Sequence, residues 1–429
     1  MTATSTAPAP AAPTAAAAHP LAAAPMTPTR STPQLLQRLS TAVVVFGVLL
    51  GVVGALTLAT LAYTLHRAEQ DTAQLVRVQN IETDLLSADA AATNAFLVGG
   101  LEPAAQRTGY DRAITETGEL IAEAARAQPA DAAALAVLNT QVLDYTAAIE
   151  QARANNRQGL PVGAQYLRLA SAQLRSSALP VLDELVAANA ARAEQRMSVA
   201  WGVVFPVLTL AALVGLVLAQ RWLSRRFHRR INSGMAAATA VLLVALLTSL
   251  VGLWYSHSIV SSTREGSYAG VNNIAAARIA AYDAKANESL TLIARGSGQS
   301  FEAAWVSCDV TVRERLGLLT RVRDDGQLAR EWAQYTAVHQ SIRTSDDGGS
   351  WDAAVAKATG TGDTSSNLRF TTFDASLASV LDDATRSTST SLGGQTPLLV
   401  VAAVLSLLAG LAAALLARRG VAARLREYR

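Results

Sequence analysis

The amino-acid sequence predicts an all-α membrane protein with four transmembrane helices and two tandem extracytoplasmic four-helix bundles. Three observations predict this fold: four uncharged apolar stretches, two long acidic segments rich in helix-forming residues, and an internal repeat that relates those two segments. Of the 429 residues, 51% are hydrophobic and only 16% are charged. Soluble domains carry about a quarter charged residues, so the composition argues against a soluble globular enzyme.

The four apolar stretches predict transmembrane helices at residues 41–65, 197–220, 235–255 and 397–417. Each contains the roughly 20 uncharged residues that a helix needs to cross the hydrocarbon core of a bilayer. The leader, residues 1–40, holds seven of the 13 prolines and no acidic residue, so we expect a disordered tail. The first stretch follows this leader and is too long for a cleaved signal peptide.

The distribution of charge predicts the orientation in the plasma membrane. The leader, the link 221–234 and the tail 418–429 together hold 12 basic residues and one acidic residue, whereas 66–196 and 256–396 hold 24 basic and 32 acidic residues. Short basic segments stay in the cytoplasm. We therefore expect a multi-pass protein with both termini cytoplasmic and the two long segments extracytoplasmic.

The two long segments carry matching residues in the same order, which predicts a tandem duplication. A single offset of 193 residues relates four residues of the first segment to four of the second. These pairs are Asn80 and Asn273, Ile81 and Ile274, Asn94 and Asn287, and Leu97 and Leu290. Further along, Tyr145 with Arg153 recurs as Tyr335 with Arg343, and Leu174 with Arg175 recurs as Leu368 with Arg369.

Helix-breaking residues divide each long segment into four helix-sized stretches. The first is cut at Gly99 to Pro103, at Pro129 and at Gly159 to Pro161; the second is cut at Gly296 and Gly298, at Gly326 and at residues 346–350. Each segment therefore predicts four antiparallel helices, of which the first and last continue into the spans.

Small residues recur at a spacing of four on the first and fourth spans, and they predict helix contacts inside one protomer or in a homodimer. The predicted contact residues are Gly47, Gly51 and Ala55 on the first span and Ser406 and Gly410 on the fourth.

Residue patterns for catalysis or cofactor binding are missing from the sequence. No histidine or carboxylate pair has the helical spacing of a zinc site, Cys308 is the only cysteine, and no nucleophile motif or phosphate-binding glycine loop occurs. We therefore expect a protein that is not an enzyme and that needs no cofactor, and we expect no nucleic-acid partner.

Two sets of residues are candidate binding surfaces. The basic link has two interpretations, topology determination with attraction to anionic lipid or docking of an acidic cytoplasmic protein. Its candidate residues are Arg221, Arg225, Arg226, Arg229 and Arg230. The candidate outer ligand or partner positions are Asp89, Asn94, Asp283 and Asn287. The alternative for these four residues is an ordinary solvated helix face, and for the repeated tyrosines and arginines it is packing with salt bridges.

The repeated unit of span, helical segment and span resembles the sensory region of bacterial chemoreceptors and histidine kinases. The leader, the two tandem units, the short link and the basic tail of 12 residues together resemble the GlnX membrane proteins of high-GC actinobacteria. That resemblance implies an extracytoplasmic solute-binding lipoprotein for aspartate and glutamate-type amino acids as one partner. It implies the cytoplasmic serine/threonine protein kinase G, which controls glutamate and 2-oxoglutarate metabolism, as the other.

The first functional hypothesis is thus a non-enzymatic transmembrane signal relay between these partners. A direct small-molecule receptor with a ligand pocket in the outer bundles and a structural envelope scaffold are the alternatives.

Overall fold

The computed structural model describes residues 2–3, 32–99, 102–198, 204–227, 233–319 and 326–426. Within these ranges all regular secondary structure is helical. The helices are α1 (Thr32–Val98), α2 (Ala104–Ala127), α3 (Ala132–Arg157), α4 (Val162–Gln173), α5 (Leu179–Met197), α6 (Val204–Phe227), α7 (Ser233–Thr263), α8 (Ala269–Ile293), α9 (Gln299–Gly317), α10 (Gln327–Asp347), α11 (Trp351–Thr359), α12 (Ser366–Gly393) and α13 (Thr396–Arg426).

Four helical ranges are long and apolar enough to cross a membrane: Ser40–Val98, Pro129–Arg157, Ser233–Ile293 and Ser366–Gly420. Three of them contain predicted spans. Pro129–Arg157 differs, because its most apolar window has a mean hydropathy of 1.2 against 2.3 to 2.7 for the others. Its residues Leu135, Leu138 and Tyr145 are buried in a core of mixed helices, so we assign it to that core.

The second predicted span, 197–220, is described only in part, because residues 199–203 lie outside the described residues. Met197 is the last residue of α5, and the apolar part of α6 within the described residues is Pro206–Arg221. The whole of α6 is about 36 Å long at 1.5 Å per residue, long enough to cross if its terminal arginines reach the interface.

Helices also extend into the predicted leader, link and tail. α1 begins at Thr32 rather than after residue 40, α6 continues to Phe227, and α13 continues to Arg426. Arginine, leucine and alanine favour helix, and no breaker separates these segments from the spans except Pro33, which the first turn tolerates. Residues 4–31 of the leader lie outside the described residues.

Helix ends inside the long segments coincide with the predicted breakers. α1 ends before Gly99 and α3 ends before Gly159, both of which have a positive φ that glycine adopts without strain. Residues 360–365 form a loop after α11. The additional short helix α11 lies in this part of the second segment, where the sequence predicts only four helices.

Two polar units stand beyond the apolar helices. Unit 1, residues 66–198, packs the second half of α1 with α2, α3 and the α4–α5 helix around one hydrophobic core. Unit 2, residues 264–393, packs α8, α9, α10 and α12 around another core. The units contact each other through their first helices: Val76 of α1 packs against the core of unit 2, and Ile279 and Tyr282 of α8 pack against that of unit 1.

Residues related by the sequence repeat meet at this contact. The Nε2 of Gln79 donates a hydrogen bond to the Oδ1 of Asn272 across 3.4 Å, and these two residues are 193 positions apart. The same offset relates the repeated asparagines and leucines of α1 and α8.

A π-helical turn interrupts one helix of each unit. Leu174–Ala178 separates α4 from α5, and Arg264–Tyr268 separates α7 from α8. In unit 1, Leu179 donates its N–H to the carbonyl of Leu174, directly before Pro180. The wider turn accommodates the proline, which we expect to kink this helix. Arg175 lies in this π-helical turn, and such turns occur frequently at functional sites.

Candidate functional sites between and inside the units

Arg175 joins the predicted positions Asp89 and Asp283. Its Nη1 lies 2.8 Å from the Oδ2 of Asp89 in unit 1, and its Nε lies 2.9 Å from the Oδ1 of Asp283 in unit 2. Asp89 is fully buried and also accepts hydrogen bonds from the hydroxyls of Ser171 and Tyr145. Burial alone would lower the pKa of Arg175, but the two carboxylates raise it above its usual value, so the guanidinium stays charged.

The two predicted asparagines are buried, and Asn94 forms hydrogen bonds across the contact between units. Asn94 donates to the carbonyl of Ala358 and accepts from Asn367, both in unit 2, and it also accepts from Gln106. Asn287 donates to Asp283. Three of the four candidate positions are almost fully buried and Asp283 is partly buried, so the alternative of a solvated helix face is wrong.

The repeated tyrosines and arginines pack and pair as expected. Tyr145 and Tyr335 are buried in the two cores. Arg153 pairs with Glu102 at 3.0 Å, and Arg343 pairs with Asp346 at 2.6 Å.

The small-residue stripes on α1 and α13 face each other within one chain. A Cβ built on Gly51 would lie 3.1 Å from the Cα of Gly410, and one built on Gly47 would lie 3.1 Å from the Cβ of Ala414. Carbonyl oxygens of Ser406 and Leu407 also approach Gly51 within 3.4 Å of that position. Larger side chains would separate the two helices. Ala55, one turn further along α1, is half-buried.

The basic link lies at the end of α6. Arg221 and Arg225 are exposed there, and Arg226 belongs to the same helix. Arg229 and Arg230 lie outside the described residues.

Unit 2 contains a buried network of charged residues that the sequence analysis missed. Lys285 and Glu288 lie on α8, with the Nζ of Lys285 2.7 Å from the Oε1 of Glu288. Ser366 donates to the same carboxylate, and His339 on α10 contacts it at 3.1 Å. The other ring nitrogen of His339 lies 3.2 Å from Glu302. Lys285, Glu288 and His339 are each at most 4% exposed.

The charged residues of this network stabilise one another in their ionised forms. Burial alone would raise the pKa of Glu288, but Lys285 and His339 lower it to about 2. Burial alone would lower the pKa of His339, but its bonds to Glu288 and Glu302 raise it. Trp305 stacks on the His339 ring with 3.6 Å between ring centroids and fixes its orientation. The fully paired arrangement satisfies charges that would be costly to bury alone.

A sequence signal for this network does exist. Lys285 lies four residues after the buried Ala281, and Glu288 lies four residues before the buried Leu292. Helical spacing of four therefore places both charges on the core-facing side of α8. Charged residues at core positions indicate paired burial, and the partner on α10 becomes visible only in the folded chain.

Unit 1 has a cavity where unit 2 has this network. The cavity measures about 360 Å³ and its floor includes Ala92, Ala95 and Ile149. The offset of 193 residues relates Ala92 to Lys285 and Ala95 to Glu288, and the spacing of Tyr145 to Tyr335 relates Ile149 to His339.

Within the described ranges, no group of three or more His, Cys, Asp or Glu residues could hold a metal ion. The Cys308 thiol approaches Asp283 at 3.4 Å, and its burial and this carboxylate raise its pKa above the usual value. A protonated thiol is a poor nucleophile and metal ligand.

Comparison with known proteins gives one match. No curated protein and no solved structure matches the chain. Residues 64–198 match the family model described as an actinobacterial sensor domain. This range starts in α1 and ends directly after α5, so it coincides with unit 1. The chain is thus similar over unit 1 to an actinobacterial sensor domain, which indicates a signalling or sensing role.

Proposed function

We propose that the chain is a non-enzymatic transmembrane relay that reports extracytoplasmic amino-acid availability to a cytoplasmic serine/threonine kinase. The match of unit 1 to a sensor domain supports the sensing part of this proposal. The resemblance to GlnX proteins supports the amino-acid-binding lipoprotein and the kinase as partners. The charge distribution supports an orientation with units 1 and 2 outside and the arginine-rich end of α6 inside.

One structural observation carries the proposal: single helices extend from the apolar segments into the polar units. α1 runs for 67 residues, so its first half lies among apolar helices and its second half lies in the core of unit 1. α7 and α8 are joined by a π-helical turn, and only residues 394–395 separate α12 from α13. A shift of packing in the units therefore moves the apolar helices as rigid elements.

The contact of α1 with α13 couples the two repeats across the apolar layer. Gly51 and Gly410 allow the closest approach, and the two helices belong to the first and the last predicted spans. Relative motion of unit 1 and unit 2 thus changes a contact that both helices share. The internal repeat supports an arrangement of two sensory units fused in one chain. The contact that two separate copies would make in a homodimer is then made within one protomer.

The relay is tested by separating these helices in native cells. We expect Gly51→Leu to abolish the change in cytoplasmic serine/threonine phosphorylation that follows addition of glutamate or aspartate. Gly252→Leu is the matched control, because Gly252 lies in an apolar helix with no atom within 4 Å of its added Cβ. Equal membrane levels of both variants are checked by immunoblot. A normal phosphorylation response in cells that lack the chain would reject the relay and favour the structural scaffold.

The proposed partners are tested by affinity purification of the tagged chain in detergent, followed by mass spectrometry. We expect a solute-binding lipoprotein and a kinase. The variant Arg221→Glu with Arg225→Glu should lose the kinase and keep the lipoprotein, because these exposed arginines lie at the cytoplasmic end of α6 in the proposed orientation. Retention of the kinase by a correctly inserted variant would exclude this docking surface.

The cavity of unit 1 favours a second candidate function, a receptor that binds its small-molecule ligand directly. The two functions are compatible, since a relay can take signals from a bound partner and from a bound small molecule.

A further inference from the structure

The cavity of unit 1 lies at the end of the unit far from the apolar helices. Its floor on α1 is formed by Ala92 and Ala95, about 40 Å along the helix from the end of the first predicted span at residue 65. Ile149 of α3 and Leu167 of α4 complete an apolar base. These four residues are at most 5% exposed, so the base belongs to the folded core and is pre-formed. The volume of about 360 Å³ is in the range of small-molecule sites.

The rim of the same cavity is basic. Arg107, Arg153 and Arg157 line it together with a single acidic residue, Glu102. Arg153 is held in place by Glu102 and Glu150 and by the ring of Tyr110, whose centroid lies 4.0 Å from the guanidinium carbon. Arg107 is more exposed and pairs with Asp111 at 3.0 Å and with Glu150 at 3.3 Å. An apolar base below a basic rim is complementary to a molecule with an apolar tail and an anionic group.

Unit 2 has a cavity of about 600 Å³ near Arg343, but three carboxylates line it and charged side chains take the positions of the apolar base; the carboxylates are those of Glu302, Asp346 and Asp347. The positions of Ala92 and Ala95 are taken there by Lys285 and Glu288, and the Ile149 position is taken by His339. The carboxylate of Glu288 occupies the interior and is fully paired. Unit 2 thus supplies an internal carboxylate where unit 1 leaves space, and in both units an arginine with acidic partners lies nearby, Arg153 in unit 1 and Arg343 in unit 2.

We propose that unit 1 binds a small carboxylate with an apolar tail in this cavity, with the tail on Ala92, Ala95 and Ile149 and the carboxylate at Arg107 and Arg153. We expect unit 2 not to bind such a molecule, because three carboxylates line its cavity and Lys285, Glu288 and His339 replace the apolar base. The inference extends the proposed relay by giving it a direct ligand, but binding itself requires neither the lipoprotein nor the kinase.

The test is calorimetric titration of the purified full-length chain in lipid nanodiscs. The probes are butanoate, hexanoate, 4-methylpentanoate and benzoate, each compared with the alcohol and the amine that have the same tail. We expect at least one carboxylate to bind saturably, and we expect its alcohol and amine to bind at least tenfold more weakly. Ala95→Leu fills the cavity and should abolish saturable binding, while it leaves nonspecific partition into the lipid unchanged.

Matched arginine variants test the rim. Arg107→Gln should weaken carboxylate binding about tenfold, which corresponds to roughly 1.4 kcal/mol of binding free energy. Arg112→Gln is the control on the same helix, because its side chain is 73% exposed and does not line the cavity. Circular dichroism and melting temperature establish that all variants fold. Equal effects of Arg107→Gln and Arg112→Gln, unchanged binding by Ala95→Leu, or no saturable binding of any probe would each overturn the proposal. None of these readouts depends on kinase signalling, so a failed relay and a failed ligand site remain distinguishable.

Discussion

Units 1 and 2 place opposite chemistry at positions that the predicted sequence repeat relates to each other. In unit 1 the three positions are apolar and border a cavity, whereas in unit 2 they form a paired, buried network, and the cavity beside it is lined by carboxylates. The three pairs of positions are Ala92 and Lys285, Ala95 and Glu288, and Ile149 and His339. The difference shows that helix packing sets the position of each core, while a few side chains determine whether space remains at these positions.

A second difference concerns the arginines that follow the repeated leucines. Arg175 of unit 1 lies between Asp89 and Asp283 and joins the two units. Arg369, its equivalent in unit 2, donates to Gln334 on the surface. The contact between the units is therefore asymmetric, and the charged residues of unit 1 hold it.

The largest expected effect comes from Glu288→Ala in unit 2. The substitution leaves Lys285 and His339 buried without their shared carboxylate, and breaking a buried pair in this way costs about 3–5 kcal/mol. We expect the free energy of unfolding in detergent to fall by that amount, as measured by denaturant titration. Ala95→Ser, at the equivalent position of unit 1, should change it by less than about 1 kcal/mol, because the residue borders a cavity. Equal effects of the two variants would refute the contrast between a sealed and an open interior.

The next effect is expected at the contact between the units. Arg175→Met should lower the free energy of unfolding by about 2–4 kcal/mol, because it leaves the fully buried Asp89 without its cation. Arg369→Met at the related position, where the half-buried arginine donates to the exposed Gln334, should change it by less than about 0.5 kcal/mol. Chemical denaturation of both variants measures the difference. A loss of stability for Arg369→Met as large as that for Arg175→Met would show that the two units contribute equally to the contact.

The helices of this chain could be predicted from its sequence because breakers act locally. Gly99 and Gly159 adopt positive φ values at helix ends, and a sequence reading needs no knowledge of other helices to place them. The stripes with Gly51 and Gly410 were likewise visible, since small residues at a spacing of four mark a close-packing face. Helix α11 was not predicted, because its ends depend on the surrounding packing.

The sites were predictable only in part. Asp89, Asn94 and Asn287 stood out because of their residue types and the repeat, but their burial between the units depends on how α1 packs against α8. The network of Lys285 and His339 depends on long-range contacts between α8 and α10. The cavity forms where the neighbouring side chains leave space, and the identities of Ala92 and Ala95 alone do not show this.

A substitution at Glu82 is expected to have the opposite sign and to raise the free energy of unfolding. Unit 1 buries Glu82, and unit 2 has Ala275 at the position that the repeat relates to it. Burial and the carboxylates of Asp183 and Asp283 raise the pKa of Glu82 from 4.5 to about 8. The folded chain thus keeps a proton between pH 4.5 and 8 that the unfolded chain loses, so this residue lowers stability as pH rises through that window.

Glu82→Gln should therefore stabilise the chain at pH 8 by about 2 kcal/mol and have little effect at pH 4. Thermal unfolding at both values of pH measures the change. Gln79→Glu, one turn away at the contact with Asn272, is the matched control and should not stabilise the chain at pH 8. A stabilisation by Glu82→Gln that is the same at pH 4 and pH 8 would show that ionisation is not its cause.

The smallest change in stability at neutral pH is expected when the whole network of unit 2 becomes apolar at similar volume. In the triple variant Lys285→Met, Glu288→Leu and His339→Phe, no charge is left buried without a partner. Replacing a complete buried ionic network in this way is often neutral, so we expect a change within about 1 kcal/mol at pH 7. This result would contrast with the large loss for Glu288→Ala alone, because the cost of the single change lies in the charges that it leaves behind.

The pH profile of the triple variant separates ionic from steric effects. The lowered pKa of Glu288 stabilises the folded chain above 4.5, and this contribution is lost as pH falls towards 2. The raised pKa of His339 stabilises it below 6.5, and this contribution is lost as pH rises through the raised value. Relative to the triple variant, the natural chain should therefore be most stable between pH 4.5 and 6.5 and lose that advantage on both sides. A constant difference across this range would mean that the network closes the interior of unit 2 by its volume alone, and the contrast with unit 1 would then be one of size rather than charge.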